Sequence, residues 1–267
     1  MKNLTYVLLV LLLSSCKVNQ LTGQKTLNVF SNKQLFPMAF NQYERFLKEH
    51  KVVENTVNSQ QIEEIGTRIA AAAQKYFTYK GAPNYLQDYA WDYNLVEDVQ
   101  RNAWCMPGGK IVFYTGILPI AKNADGIAAI MGHEVAHALL DHGGQRMSLG
   151  LAQQGLNLVA LKITEKQPEK KQRAIMTAYG IGSTVGVVLP FSRKHETEAD
   201  RIGLELIAIA GFNPEEAPKL WERMKAASGG KAPPEILSTH PSNQRRIEAL
   251  SLWIPEAKKR AQQINGK

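Results

Sequence analysis

The stretch AAIMGHEVAHALLDH, residues 128–142, decides how this chain reads. Ile130, Met131, Val135, Ala138 and Leu139 make it an apolar, helix-forming segment, yet it carries His133 and His137 with Glu134 directly behind the first. Burying imidazole and carboxylate is costly unless something pairs with them. On an α-helix two residues four apart lie about 40° apart and one turn apart, on one face. Two imidazoles so placed grip one ion. Glu134, about 100° round from His133, is near enough to act on a water at that ion without ligating it. This is the H-E-x-x-H arrangement of zinc hydrolases. The competing reading is a pair of core histidines satisfied by ordinary hydrogen bonds.

A catalytic zinc usually takes three protein ligands and keeps one position open. The metzincin extension needs glycine at 140 and histidine at 143, where Leu140 and Gly143 stand. His142 falls on the far side of a continuing helix from His137 and so should face away. The better source of a third ligand is FSRKHETEADRIGL, residues 191–204. Glu196 and Asp200 share a helix face, while Glu198 and His195 are turned from it. Glu196 would complete a His-His-Glu set. Asp200, one turn on, would accept the second ring N–H of a ligand histidine, with His133 the expected partner. Alone, the two acids could equally solvate a helix face. Further on, STHPSNQRRIEAL, residues 238–250, offers His240 and Arg246 as donors to a developing oxyanion. On spacing alone that stretch reads as a turn and a solvated helix.

The remainder is ordinary globular sequence: 267 residues, 44% apolar, 21% charged, formal net charge +8. The positive charge suits an anionic surface, but Lys and Arg are scattered, so a nucleic-acid partner is not expected. Residues 1–15 read as a signal peptide, with an apolar run from Val7 to Leu13. The ending Leu13-Ser14-Ser15-Cys16 resembles a bacterial lipobox, which implies cleavage before Cys16 and its lipidation. The alternative is an uncleaved anchor, although the run is short for a span of about 20 residues. Cys105 is then the only other cysteine, so no internal disulfide forms.

The expected organisation is a lipidated tether and N-terminal helix over 16–50, with 17–32 as polar tether, then one catalytic domain over 51–267. Apolar residues at helix spacing predict a helix over 60–79. YAWDYNLV alternates with period two, and RNAWCM and KIVFYT flank Pro107-Gly108-Gly109 as a hairpin. One small sheet of about three strands should lie beside the active helix. From Asp125 the chain reads as helical, with Gly143-Gly144 stopping the first helix. A glycine-interrupted helical region covers 146–189, a helix runs from about Ser192 to Ala210, and another starts at Asn213-Pro214. SGGKAPPE is a loop, and Ser242 is a cap for a last helix. The uncharged stretch 174–190 is read as a buried helix in preference to a membrane-touching one.

HEVAH, SRKHETEADRIGL and STHPSNQRRI in this order, preceded by NAWCMPGGKIVFYTGIL, resemble the CAAX prenyl endopeptidase and HtpX family of zinc metallopeptidases. The similarity covers about residues 60–255. It is strongest to soluble lipoprotein-type or periplasmic members (LoiP and BepA) and to the mitochondrial Oma-type peptidase. The resemblance implies an α+β, mainly helical zincin-like (gluzincin) fold with one Zn2+ per chain. It makes His133, His137 and Glu196 the ligands, Glu134 the general base and Asp200 the group behind a ligand. It places His240 and Arg246 beside the open position, where they stabilise the transition state or His240 caps the zinc in a latent form. Lys110, Ile111, Val112, Phe113 and Tyr114 are the candidate edge strand to which an extended substrate adds. Cys105, where a small alanine is usual, is read as a small buried residue, with a redox or zinc switch as the minor alternative.

The resulting expectation is a zinc endopeptidase acting on misfolded or membrane-associated envelope proteins. It would be lipid-anchored in a bacterial envelope, at the outer membrane facing the periplasm. The alternative is a chaperone or assembly factor that binds unfolded chains and rarely cleaves them.

Overall fold

The computed structural model describes residues 16–227, 236, 240 and 244–266. The expected signal peptide (residues 1–15), the Cys16 side chain, the expected 228–235 loop and the expected Ser242 cap lie outside the described residues. In chain order the elements are β1 (Cys16–Val18), β2 (Lys25–Leu27), α1 (Asn32–Glu49), α2 (Val57–Tyr79), β3 (Asp92–Val96), β4 (Ala103–Met106) and β5 (Lys110–Tyr114). After a 3-10 turn come α3 (Leu118–Ala121), α4 (Ala124–Leu139), α5 (His142–Thr164) and α6 (Glu169–Ser183). A π turn (Thr184–Val188) leads into α7 (Leu189–Ile209), followed by α8 (Glu216–Ala227) and α9 (Gln244–Asn265).

α4 is the axis of the molecule. Asn123 caps it, its side chain accepting from the Gly126 N–H at 2.8 Å. Every residue from Gly126 to Leu139 is buried, so helix propensity contributes less than tertiary packing. At its C-terminal end, carbonyls of the last turn accept from tyrosines, Ala138 O also accepting from the Asp141 N–H. Tyr85 Oη donates to Leu139 O at 3.3 Å and Tyr89 Oη to Ala138 O at 3.5 Å. The core around it draws Ile62, Ile65, Ile69 and Phe77 from α2, Phe113 from the sheet, and Leu206 and Ile207 from α7.

α4 crosses α7 at very short range because both helices carry glycine at the contact. A β-carbon on Gly132 would lie 2.6 Å from Ile207 Cγ2 and 3.0 Å from Gly203 O. One on Gly203 would lie 2.9 Å from the His133 N. Absent side chains let the backbones touch, and that contact brings His133 against the face of α7 bearing Glu196 and Asp200.

The three-stranded sheet has the order β3-β5-β4, with β5 parallel to β3 and antiparallel to β4. Lys110–Tyr114 is therefore the central strand, not the edge expected for it. Alternation identifies strands, but their lateral order depends on long-range pairing that a local pattern does not contain. The edge strand beside α4 is β4.

Three further readings need correction. Residues 17–32, expected as a tether, form the β1–β2 hairpin packed at the α4–α5 corner. There Lys17 Nζ meets Asp141 Oδ2 at 3.1 Å and the Val29 N–H donates to Ser148 Oγ at 3.0 Å. α4 stops at Leu139 and not at the glycine pair, because Asp141 takes a left-handed conformation (φ 57°) and Gly143 and Gly144 begin α5. The 174–190 stretch is not buried: no residue of α6 is, and Ile181 and Val185 are 61% and 59% exposed.

Candidate metal centre

His133 and His137 project from one face of α4 onto Glu196 of α7. Their Nε2 atoms lie 3.1 Å apart. Glu196 Oε2 is 3.4 Å from His133 Nε2, and Glu196 Oε1 is 3.4 Å from His137 Nε2. His240 completes the group, its Nδ1 2.9 Å from Glu196 Oε1 and 3.3 Å from His133 Nε2. All four residues are buried, and one ligand atom from each lies within 4.8 Å of the others. Imidazole nitrogens and a carboxylate converging on one point, with little water to separate them, are satisfied together by a cation. The residues present fit a metal ion.

The residues behind the ligands fix their orientation. His133 Nδ1 is 3.1 Å from Asp200 Oδ1, the pairing expected from the sequence. Burial opposes charge on His133, but Asp200 and Glu196 outweigh it and push its pKa up to about 9. Burial holds His137 well below the ordinary histidine value, against the pull of Glu196. Burial would raise Glu196, but hydrogen bonds from His133, His137 and His240 hold it far below the usual carboxylate range.

Arg246 lies against Asp200 and Glu196. Its Nε and Nη2 donate to the two Asp200 oxygens, both at 2.8 Å, and Nη1 sits 3.1 Å from Glu196 Oε2. It clamps the two carboxylates together. Glu134 is 4% exposed, and its Oε1 has no hydrogen-bond partner among the described residues. His240 Nε2 lies 3.6 Å from that oxygen.

The model of Peptidase family M48 matches residues 57–254, which span α2 to α9 and hold all of these side chains. The chain belongs to peptidase family M48. Among similar family members, mitochondrial metalloendopeptidase OMA1 of Schizosaccharomyces pombe is 38% identical over 174 residues, 64% of this chain and 49% of the relative. The mitochondrial metalloendopeptidase OMA1 of Danio rerio is 30% identical over 245 residues, 89% of this chain and 50% of the relative. The beta-barrel assembly-enhancing protease of Escherichia coli is 29% identical over 159 residues, 57% of this chain and 32% of the relative. The chain thus spans about half the length, or less, of these relatives. The M48 assignment agrees with the fold expected from the motifs. The mitochondrial names of the yeast and fish proteins overturn the expected placement as a bacterial outer-membrane lipoprotein facing the periplasm.

Two site residues of this M48 chain escaped sequence reasoning. His142 Nδ1 is 2.8 Å from His137 Nδ1, and His142 Nε2 is 3.2 Å from Glu198 Oε2. With His142 neutral, as its burial favours, His137 Nδ1–H donates to His142 and His142 Nε2–H donates to Glu198. His142 seemed to face away because a continuous helix was assumed, and the turn at Asp141 redirects it. The break was legible only as the pairing of a helix-poor aspartate with two glycines. His195 lies behind, stacked on His142 at 3.8 Å between ring centroids, its Nε2 3.1 Å from Gln145 Oε1. Burial and the nearby His142 lower its pKa to about 2, so it stays neutral. Cys105, on β4, is half-buried, and burial together with the Glu134 charge keeps its thiol protonated. That favours the inert reading over a redox switch.

Proposed function

We propose that this chain is a zinc metalloendopeptidase, in which His133 Nε2, His137 Nε2 and Glu196 hold the ion and Glu134 is the general base. The observation that carries the reading is the convergence of those three ligands beside a buried carboxylate whose Oε1 has no hydrogen-bond partner among the described residues. When bound, zinc supplies a Lewis acid that polarises the scissile carbonyl and makes a nearby water more acidic. Glu134 takes the proton from that water and returns it to the leaving amine. Asp200 and His142 each accept the outer ring N–H of a ligand histidine, holding Nε2 toward the ion. Arg246 balances the negative charge of Asp200 and Glu196, so two carboxylates can share a dry site with both ionised. His240 sits over the ligand cluster and beside Glu134, where it either donates to the oxyanion or covers the site until substrate displaces it.

Substrate would add as a further strand to the outer edge of β4, which lies alongside α4. Backbone pairing of this kind reads an extended chain and little of its sequence. It suits unfolded or membrane-associated proteins, in keeping with a role in protein quality control.

The test is cleavage of an unfolded model protein by the zinc-loaded chain and by Glu134→Gln. Activity should fall by about 10²–10⁴-fold in the variant while zinc content stays at one per chain. Equal cleavage by both proteins would sink the assignment of the base. Zinc bound without cleavage by either protein would favour the chain-binding alternative, and His240→Ala would then show whether the site is merely covered.

A further inference from the structure

α5 and α6 form an antiparallel helical hairpin that leaves the body of the protein beyond Ser148, the last buried residue of the first turns of α5, and returns at Phe191. Tyr179 Oη donates to Gln153 O at 3.4 Å across it. The hairpin has two uncharged stretches, the fifteen residues 147–161 and the nineteen residues 174–192. As helices they measure about 22 Å and 28 Å, against a bilayer hydrocarbon core of about 30 Å. Their apolar side chains are bare: Leu156, Leu158 and Ile181 are 58%, 67% and 61% exposed. The continuous helical run Glu169–Ile209 contains an 18-residue stretch apolar and long enough to cross a membrane, and that stretch is entirely unburied. An apolar surface on this scale marks an interaction site.

A second observation lies at the foot of the hairpin. A groove of about 640 Å³ is lined by six basic residues, Lys80, Arg193, Lys194, Arg201, Arg245 and Arg260, against the acids Glu198 and Glu205. Arg201 and Arg260 are held by Glu256 and Glu205, and Lys194 lies 3.7 Å from Glu198. Lys80, Arg193 and Arg245 are exposed and have no ion-pair partner among the described residues. Arg193 and Lys194 immediately follow the 174–192 stretch, so the cationic groove begins where the apolar helix ends. Trp253, an aromatic of the kind favoured at membrane interfaces, also lines it.

We propose that the groove binds the phosphate headgroup of an anionic phospholipid, whose acyl chains lie against the exposed hairpin immersed in the same bilayer. A groove of this volume has room for a phosphodiester headgroup. Neither half of the arrangement uses the metal centre, so the inference stands apart from the proteolytic reading.

The test is flotation of the purified full chain with vesicles of phosphatidylcholine alone or with phosphatidylglycerol added. Wild type should bind both, the anionic vesicles more tightly by on the order of 10–100-fold, as expected of two or three basic residues, unpaired among the described residues, near an anionic surface. Arg193→Glu with Arg245→Glu should abolish that gain and keep the binding to phosphatidylcholine. Arg193→Gln with Arg245→Gln should reduce it, and serves if the reversed charges disturb folding as judged by thermal unfolding. Ile181→Asp with Val185→Asp should lose both kinds of binding. Full anionic preference in the folded arginine variants would overturn the groove as the site. If inorganic phosphate bound the chain without lipid and removed the anionic preference, the ligand would be a soluble phosphate and the lipid assignment would fall.

Discussion

α4 and α6 are helices of similar length, 16 and 15 residues, and both contain apolar sequence. α4 has no residue exposed between Gly126 and Leu139, whereas α6 has none buried. The difference is not in composition alone. α4 is covered by α2, the sheet, α7 and α8, and at Gly132 its backbone is in contact with α7. α6 touches its hairpin partner and little else of the described protein. Apolar sequence therefore states that a helix will avoid water. It does not state whether protein or something outside the chain provides the cover.

Substitutions can break or sharpen this contrast. The largest effect should come from Glu196→Ala, which removes a proposed ligand at the α4–α7 crossing. Metal content measured after dialysis should fall, and proteolysis should drop by at least about 10²–10⁴-fold. An unchanged metal content would show that Glu196 is not a ligand. Next is His142→Ala, which cuts the support behind His137 and should weaken metal affinity by about 10–100-fold in a chelator competition. If affinity holds, the link from His137 to Glu198 is structural only. Gly203→Ala puts a methyl group against the His133 backbone and should cost about 1–3 kcal/mol in denaturant unfolding. A neutral result would mean the crossing relaxes freely. The smallest effect should come from Leu156→Ser with Leu158→Ser on the hairpin, within about 0.5 kcal/mol of wild type in the same assay. A loss of several kcal/mol there would show that the hairpin packs on protein.

What the sequence made legible follows from the range of each interaction. His133, His137, Glu196 and Asp200 could be placed on two helix faces because the helical period is local and regular. The strands of the sheet were visible for the same reason, and their order was not. β5 occupies the centre because β3 returns parallel to it across intervening chain, which no alternation encodes. His142 was misplaced by one broken assumption, that the helix continues through Asp141 (φ 57°). Arg246 was recognised as a site residue, but its pairing with Asp200 and Glu196 was not foreseen, because spacing within α9 carries no information about carboxylates on α7. The N-terminal hairpin looked like tether because its anchoring contacts, such as that of Lys17 with Asp141, are distant in sequence.

The glycine contact between α4 and α7 also bears on how the site can vary. Ligand spacing here is set by backbone against backbone, a hard stop, and not by the sum of interlocking side chains. Such a gauge has almost no tolerance of its own and inherits little error from the parts around it. Repacking elsewhere in the core would alter stability first and ligand spacing last. At Gly132 and Gly203 the reverse holds, since even one added carbon resets the gauge.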